Sequence, residues 1–400
     1  MINSATKTSS ARKHLYEIDF MRVFFTFGVL FNHTVNKFTS AMTSSDTYNT
    51  VRSLRVMFHY TRMGFIFISG VVLTLTYFNR NDWPNFFKKR LNGSIWPYLA
   101  WNALLMLVML LVGNADYSLN DFGNHYLTIV IHGSSFYLYY MLLVMQLYLV
   151  FPGVVWIFKH WQNSHTKILI TSFIIQLMLD FGVKFGMSHL DVSNWPYWFK
   201  AVSINIFAYQ FYIFLGVFTC LHHQRIYTLI NTHIKKIISL AIIMALGMIF
   251  YYRIWNQQIL GLSDDKSLSL HQPYIICYDI VMLGLIFWIG KKYATWHQRG
   301  LPQWLETFMD YAVKVSFGMY LNQTLGLLAL KWILDALAPS NLLLFILIPV
   351  GWIFVITVSF LFALFCYKVP PFGFLIGRPN WHPFKKGLFF FPQFSSNNTK

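Results

Sequence analysis

The chain is 400 residues long, 56% of its residues are apolar, and only 11% are charged. A soluble domain carries about 25% charged residues, so the composition excludes an ordinary globular enzyme, and the abundance of apolar residues excludes a disordered chain. The remaining class is an all-α integral membrane protein with room for about ten helices of about 20 residues each. The formal net charge of +17 is compatible either with nucleic-acid binding or with the basic cytoplasmic loops of a membrane protein.

Ten apolar segments follow one another along the chain, and each is long enough for a predicted transmembrane helix. The pattern predicts an N-terminal tail (1–17), a membrane domain (18–367) and a basic C-terminal tail (368–400). The first segment is too long for a cleavable signal peptide and is interrupted by Arg22 and His33, so we expect it to be retained. The predicted segments are 18–38, 57–78, 94–113, 135–157, 167–185, 202–221, 237–254, 273–290, 312–333 and 343–367.

The distribution of Lys and Arg indicates how the chain crosses the membrane. If the N-terminus is cytoplasmic, 21 of the 31 basic residues fall in predicted cytoplasmic segments. This predicts both termini in the cytoplasm of a bacterial-type cell and short polar outer loops at 114–134, 186–201 and 255–272. The positive charge therefore indicates topology, and we expect no nucleic-acid partner. The basic and aromatic stretch 385–391 is predicted to anchor the tail on anionic lipid.

The first segment carries the strongest set of ionisable residues, which are costly inside a membrane and mark function. Arg22 and His33 are eleven positions apart, so in a helix they share one face, about 16 Å apart along the axis. Asp19 precedes Arg22 by three residues and can pair with it. A neutral imidazole suits a general base, and a guanidinium suits a phosphate group. Alternatively, Arg22 reaches lipid headgroups and His33 bonds to a neighbouring helix.

The string Asp19-x-x-Arg22, followed by ten residues and His33, resembles the opening motif of the membrane-bound acyltransferase 3 family. Other stretches resemble that family in the same order between residue 16 and about residue 325. They are Phe-Ile-Phe-Ile-Ser-Gly at 65–70, the basic 87–91 followed by Pro-Tyr at 97–98, the aromatic 136–152, and Ser-Phe-Gly-Met-Tyr-Leu at 316–321.

The resemblance implies a ten-helix membrane enzyme that takes an acyl group, most often acetyl, from cytoplasmic acyl-CoA. Such enzymes deliver it to a hydroxyl of a carbohydrate at or beyond the outer face. His33 would then act as a general base or as a transient acyl carrier, together with Arg22, and acyl-CoA is a substrate rather than a bound cofactor. No metal-ligand spacing occurs among the histidines, so we expect no metal.

Further candidate substrate-binding residues follow from the same motifs, and each has an alternative interpretation. The basic residues of the first cytoplasmic loop would hold CoA phosphates, although such loops also bind anionic lipid. Ser69 can contact substrate, but Ser-Gly pairs commonly pack helices closely. Tyr320 can bond to the reacting oxygen or to a bundle partner. The candidate residues of this group are Asp19, Ser69, Lys88, Lys89, Arg90 and Tyr320.

Three positions depart from the family pattern: Gly93 stands where some members have arginine, Gln323 where many have histidine, and Phe136 where many have histidine. These departures place the chain nearer the members associated with surface-polysaccharide modification. The alternative from another class is an exporter or flippase of a surface polysaccharide, although the repeated halves typical of transporters are not visible. Asp279, in the eighth segment, has no evident partner in the sequence.

Overall fold

The computed structural model of the chain describes residues 14–43, 45–113, 115–187 and 190–379. All regular structure within these ranges is helical, which confirms the all-α fold class. The predicted N-terminal tail is described only from residue 14, and the predicted anchor at 385–391 lies outside the described residues.

Every predicted apolar segment corresponds to a helix, and several short helices lie between them. π-helical segments extend α7 (Gly182–Met187) and α11 (Tyr251–Ile259), and a 3₁₀ segment, Phe372–Ile376, follows the last helix. The α-helices are α1 Tyr16–Ala41, α2 Asp46–Met57, α3 Tyr60–Tyr77, α4 Trp83–Leu111, α5 Phe122–His132, α6 Tyr139–His160, α7 His165–Phe181, α8 Tyr197–Lys200, α9 Gln210–Leu221, α10 His223–Thr232, α11 Ile234–Phe250, α12 Asp264–Ser267, α13 Pro273–Arg299, α14 Gln303–Leu337 and α15 Asn341–Lys368.

The length and hydropathy of these helices define a multi-pass membrane protein. Seven described helical stretches can cross a membrane, and an eighth is obtained if the pair Ile206–Leu221 and His223–Thr232, bent by 96°, is one span. α1 and α14 lie outside this set. With 26 and 35 residues they exceed the length of about 20 that a span requires. The predicted number of ten is reached only when the bent pair is counted as one span and α1 and α14 are added.

α1 lies at the centre of the helix bundle, because it packs against α3, α13, α14 and α15. Its residues Met21, Phe25 and Leu30 are fully buried. A helix surrounded by protein can hold polar side chains that lipid would not tolerate. The first predicted segment is therefore an interior helix.

The basic residues predicted in a loop are instead in a helix. α4 begins at Trp83, eleven residues before the predicted segment, and the Asp82 side chain accepts a hydrogen bond from the Asn85 amide at 3.4 Å. An aspartate cap followed by proline in the first turn is a common helix start. Lys88, Lys89 and Arg90 thus lie on the second turn of α4.

The stretch 114–134, predicted as a polar outer loop, contains α5 and turns back along α4. Tyr117 donates to the carbonyl of Met106 at 2.7 Å, and Tyr126 donates to that of Leu99 at 3.1 Å. The later tyrosine bonds to the earlier residue of α4, so α5 runs antiparallel to α4. The segment 133–138 that follows is partly buried: Gly133, Ser135 and Leu138 are buried, whereas Ser134 and Phe136 are exposed. Irregular backbone within a helix bundle is tolerated where protein or a cavity surrounds it.

α3 and α9 approach each other closely through glycines. A Cβ on Gly70 would lie 2.9 Å from the Ile213 carbonyl oxygen, and one on Gly216 would lie closer still to that of Phe67. In the pair Ser69-Gly70, the glycine therefore allows the two helices to pack closely, which is the alternative interpretation given above.

Replacing Gly216 with alanine is expected to destabilise the fold by about 1–3 kcal/mol, because the methyl group meets backbone and forces the helices apart. The melting temperature of the purified protein in detergent measures this effect. Gly153→Ala is the matched control, since no atom lies within 4 Å of a Cβ there. Equal melting temperatures for the two variants would contradict the close approach.

Candidate active site

His33 lies in the second half of α1 and is 8% exposed. Its ring packs on Tyr137 of the segment 133–138, with centroids 3.6 Å apart. The Nδ1 atom is buried without a hydrogen-bond partner. No carboxylate among the described residues forms an ion pair with His33. Aromatic packing therefore positions the imidazole.

A cleft of about 550 Å³ opens beside His33. It has a size typical of ligand sites, about 300–1,000 Å³. A smaller cavity of about 30 Å³ continues behind it and is large enough for a water molecule. Both share the walls around His33, and we call the end of the bundle that carries the cleft the cleft face. Its lining comes from α1, α2, α3, the segment 136–139 and the stretches 183–187, 200–203 and 262–272.

Tyr320 of α14 lines the smaller cavity with His33, but its hydroxyl is already engaged, because it donates to the backbone carbonyl of Tyr137. The structure therefore places this predicted substrate-binding residue as a support for the segment that packs on His33. This is the bundle-partner alternative for its hydroxyl, while the ring still faces the cavity.

Tyr320→Phe is expected to lower stability by about 1–3 kcal/mol, because it leaves the buried Tyr137 carbonyl unsatisfied. Acyl transfer should also slow, since the ring that packs on His33 loses its anchor. Melting temperature and transfer rate are the two measurements. Tyr311→Phe is the matched control on the same helix, where the ring contacts Lys314 and Lys368. An unchanged melting temperature for Tyr320→Phe would contradict this role.

The predicted pair of Asp19 and Arg22 forms at the opposite end of α1, with 4.0 Å between carboxylate and guanidinium. Asp19 also accepts a hydrogen bond from His14. Arg22 does not line the cavities beside His33. The predicted site residues thus form two groups, separated along α1 by about 16 Å.

Arg22 is close enough to Arg90 and Arg378 for electrostatic interaction. The guanidinium of Arg90 stacks 5.1 Å from the Tyr77 ring centre, and its Nε atom is buried without a hydrogen-bond partner. Lys88 and Lys89 are exposed on the same turn of α4. We call Arg22, Arg90 and Arg378 the arginine cluster, and the end of the bundle that carries it the basic face.

Arg378 was not identified by the sequence reasoning, which counted it only as a charge of the tail. The 3₁₀ segment before it docks on α4, where Trp101 donates its indole hydrogen to the Leu375 carbonyl at 2.8 Å. Gly377 then turns the chain with a φ of +67°, and a Cβ at this position would lie 2.9 Å from the Gly93 carbonyl oxygen. Gly93, which stands where some family members have arginine, thus lies next to the segment that brings Arg378 to this end of the bundle.

Three further residues that the sequence singled out line neither cavity beside His33. Ser69 lies beside Tyr140, which lines the smaller cavity, without lining it itself. Asp279 has a partner that the sequence did not reveal, since its carboxylate accepts a hydrogen bond from Tyr212 at 2.6 Å. Gln323 donates to the backbone carbonyl of Tyr320 at 2.9 Å. These three residues are parts of the helix packing.

The sequence reasoning also missed the other nitrogen-bearing side chains beside His33, which are two arginines and a histidine. Arg55, His59 and Arg62 line the cleft with it. His59 and Arg62 fall inside the second predicted segment, so the rule that identified His33 applies to them as well. Arg55 lies on α2, which was not predicted. In the part of the chain that the structure describes, no group of three or more His, Cys, Asp or Glu residues is arranged to hold a metal ion.

The fold and the two groups define an integral membrane protein with polar residues held at both ends of a buried helix. A family model described as an acyltransferase domain matches residues 15–368. The chain therefore belongs to the acyltransferase 3 family, which confirms the resemblance noted in the sequence, and it is a membrane protein with a domain that transfers acyl groups. Neither the curated proteins nor the solved structures include a significant match.

Proposed function

We propose that this protein is an O-acyltransferase of a bacterial cytoplasmic membrane that moves an acyl group, acetyl in the first instance, from cytoplasmic acyl-CoA to a hydroxyl of a cell-envelope carbohydrate. Family membership supports acyl transfer. The observation that carries the proposal is that one buried helix presents Arg22 at the basic face and His33 at the cleft face. The excess of Lys and Arg supports a cytoplasmic position for the basic face.

The arginine cluster is suited to the phosphates of CoA. Guanidinium groups bind phosphate through two parallel hydrogen bonds, whereas Lys88 and Lys89 add point charges. The charged part of CoA cannot enter the bilayer, but its thin pantetheine arm can run along α1 and carry the thioester toward His33, about 16 Å away.

At His33 the neutral imidazole accepts the proton of the acceptor hydroxyl while that oxygen bonds to the thioester carbonyl carbon. The carbon–sulfur bond then breaks, and the sulfur takes the proton from the imidazolium, which releases CoA as a thiol. In the relay version the imidazole nitrogen first bonds to the acyl carbon as the sulfur leaves, and the acceptor oxygen then displaces it. The hydroxyl proton ends on the CoA sulfur in both versions. Base catalysis of this kind contributes about 10²–10⁴-fold to the rate.

The test compares cells that lack the chain with cells that express it. Inside-out membrane vesicles are prepared from both kinds of cell and supplied with labelled acetyl-CoA, and the label in ester-linked acyl groups on envelope glycans is measured. The amount of exported glycan is measured on the cells themselves. We expect label to leave the donor and enter glycan esters only when the chain is present. Loss of glycan export without any consumption of labelled acyl-CoA would favour the exporter or flippase instead.

A further inference from the structure

The cleft face carries more positive charge than catalysis by His33 requires. The residues that line the cleft include five cations but a single carboxylate, that of Asp265. Lys200 and Lys266 are exposed at the cleft, whereas Arg55, Arg62 and Lys184 are partly or fully buried in its wall. The lining cations are Arg55, Arg62, Lys184, Lys200 and Lys266.

Arg55 and Arg62 are held in position without a compensating acid. Arg62 lies over the Tyr139 ring, 4.9 Å from its centre. Arg55 donates from Nε to the Asn32 side chain at 3.4 Å, and the same amide donates to the Arg55 backbone carbonyl at 3.0 Å. Among the described residues, neither guanidinium has a carboxylate within ion-pair distance.

Two neighbouring basic side chains, in contrast, do have an acidic partner. On the same helix as Arg55, Arg52 pairs with Asp264 at 3.4 Å. In the wall of the cleft, His271 pairs with the buried Asp180 at 3.5 Å. A partly buried arginine without such a partner is costly, because removing its charge from water is not compensated by an acid. Arg55 and Arg62 therefore leave positive charge available to bind an anionic ligand.

The two arginines and His33 belong to one geometric unit. Asn32, which binds Arg55, is the chain neighbour of His33, so the guanidinium and the imidazole are held by successive residues of α1. Arg62 lines both cavities together with His33. A group bound by these arginines is thereby placed beside the imidazole, and it cannot be the CoA phosphates if those bind the arginine cluster at the other end of α1.

We propose that the acceptor is an anionic glycan, and that Arg55 and Arg62 bind its oxyanion while the neighbouring hydroxyl meets His33. This inference rests on the proposed function and narrows its substrate class. A planar guanidinium matches a carboxylate or a phosphate in bidentate geometry. Lys200 and Lys266, exposed at the cleft, add a field that attracts such an acceptor from solution.

The first test identifies the acceptor by charge. Cells with and without the full chain are grown with labelled acetate, and their glycans are separated on an anion-exchange column. We expect the chain-dependent labelled ester in the bound, anionic fraction. Carboxyl reduction then releases it from the column if the oxyanion is a sugar acid, and dephosphorylation does so if it is a phosphate. Labelled ester in the neutral fraction would overturn the anionic acceptor alone, whereas absence of label from every glycan would overturn the proposed function itself.

The second test uses variants in the same cells. Arg62→Gln is expected to reduce the anionic labelled ester about 10- to 100-fold, because a charge-assisted contact is lost, and Arg62→Lys should retain part of it. Arg55→Gln should act in the same direction. The KM for acyl-CoA and the amount of protein in the membrane should stay unchanged. Arg253→Gln is the matched control, since that arginine pairs with the exposed Asp46 at the same face. Normal labelling by Arg62→Gln would overturn the inference.

Discussion

Replacing His33 with alanine is expected to lower acyl transfer to envelope glycans by about 10²–10⁴-fold, the usual contribution of a general base. The imidazole of His33 supplies a basic nitrogen where the two cavities meet. Its ring packs on Tyr137, whose backbone carbonyl accepts a hydrogen bond from Tyr320 of α14. Removing it leaves the donor site at the basic face intact. Acyl-CoA should therefore still bind, and the measurement is the rate at which labelled acyl groups reach glycan esters.

The matched control is His160→Ala, which removes an exposed histidine at the end of α6. Both variants should reach the membrane in normal amounts, and both should melt within a few degrees of the wild type. If the His33 variant keeps normal esters and normal glycan export, then His33 is a structural residue and the proposed mechanism is wrong.

Replacing Arg22 with glutamine is expected to raise the KM for acyl-CoA by about 10- to 100-fold, since a hydrogen bond to a charged group contributes about 1.5–3 kcal/mol. The rate at saturating donor should change much less, because the lost contact binds the phosphates equally in the ground state and the transition state. Arg22→Lys should recover part of the affinity, as a point charge without the planar fork. Steady-state kinetics in inside-out vesicles separate the two parameters.

Arg225→Gln provides the comparison, because it removes an exposed arginine from α10 and so changes the net charge equally. Its KM for acyl-CoA should remain that of the wild type. An Arg22 variant that lowers the saturated rate while leaving KM unchanged would place Arg22 in the chemical step rather than in donor binding.

Much of the architecture was predictable because lipid imposes a strong pattern on sequence. Each apolar segment corresponds to a helix, since a span requires about 20 apolar residues and internally satisfied backbone groups. Segment edges were less predictable. α4 begins well before its apolar part, because Asp82 and Pro84 start a helix in polar sequence. α5 was missed because its 11 residues, which turn back along α4, lack the length of a span.

The candidate site was predictable where its residues share one helix. Arg22 and His33 were identified because helical periodicity alone relates their positions. Arg378 was not, because only the docking of the 3₁₀ segment on Trp101 and Gly93 brings it to the arginine cluster. Tyr137 was likewise hidden, since its place beside His33 depends on a hydrogen bond from Tyr320, 183 residues away along the chain.

The sequence by itself determined the membrane class, the helical segments and the family, and it predicted the pair of candidate residues on the first helix. Hydropathy, charge distribution and spacing are local properties, so they are legible without a fold. The tertiary structure alone decided that α1 is an interior helix, that Arg55 and Arg62 stand beside His33, and that Arg378 joins Arg22. These are contacts between distant parts of the chain, which only the packing of the helices creates.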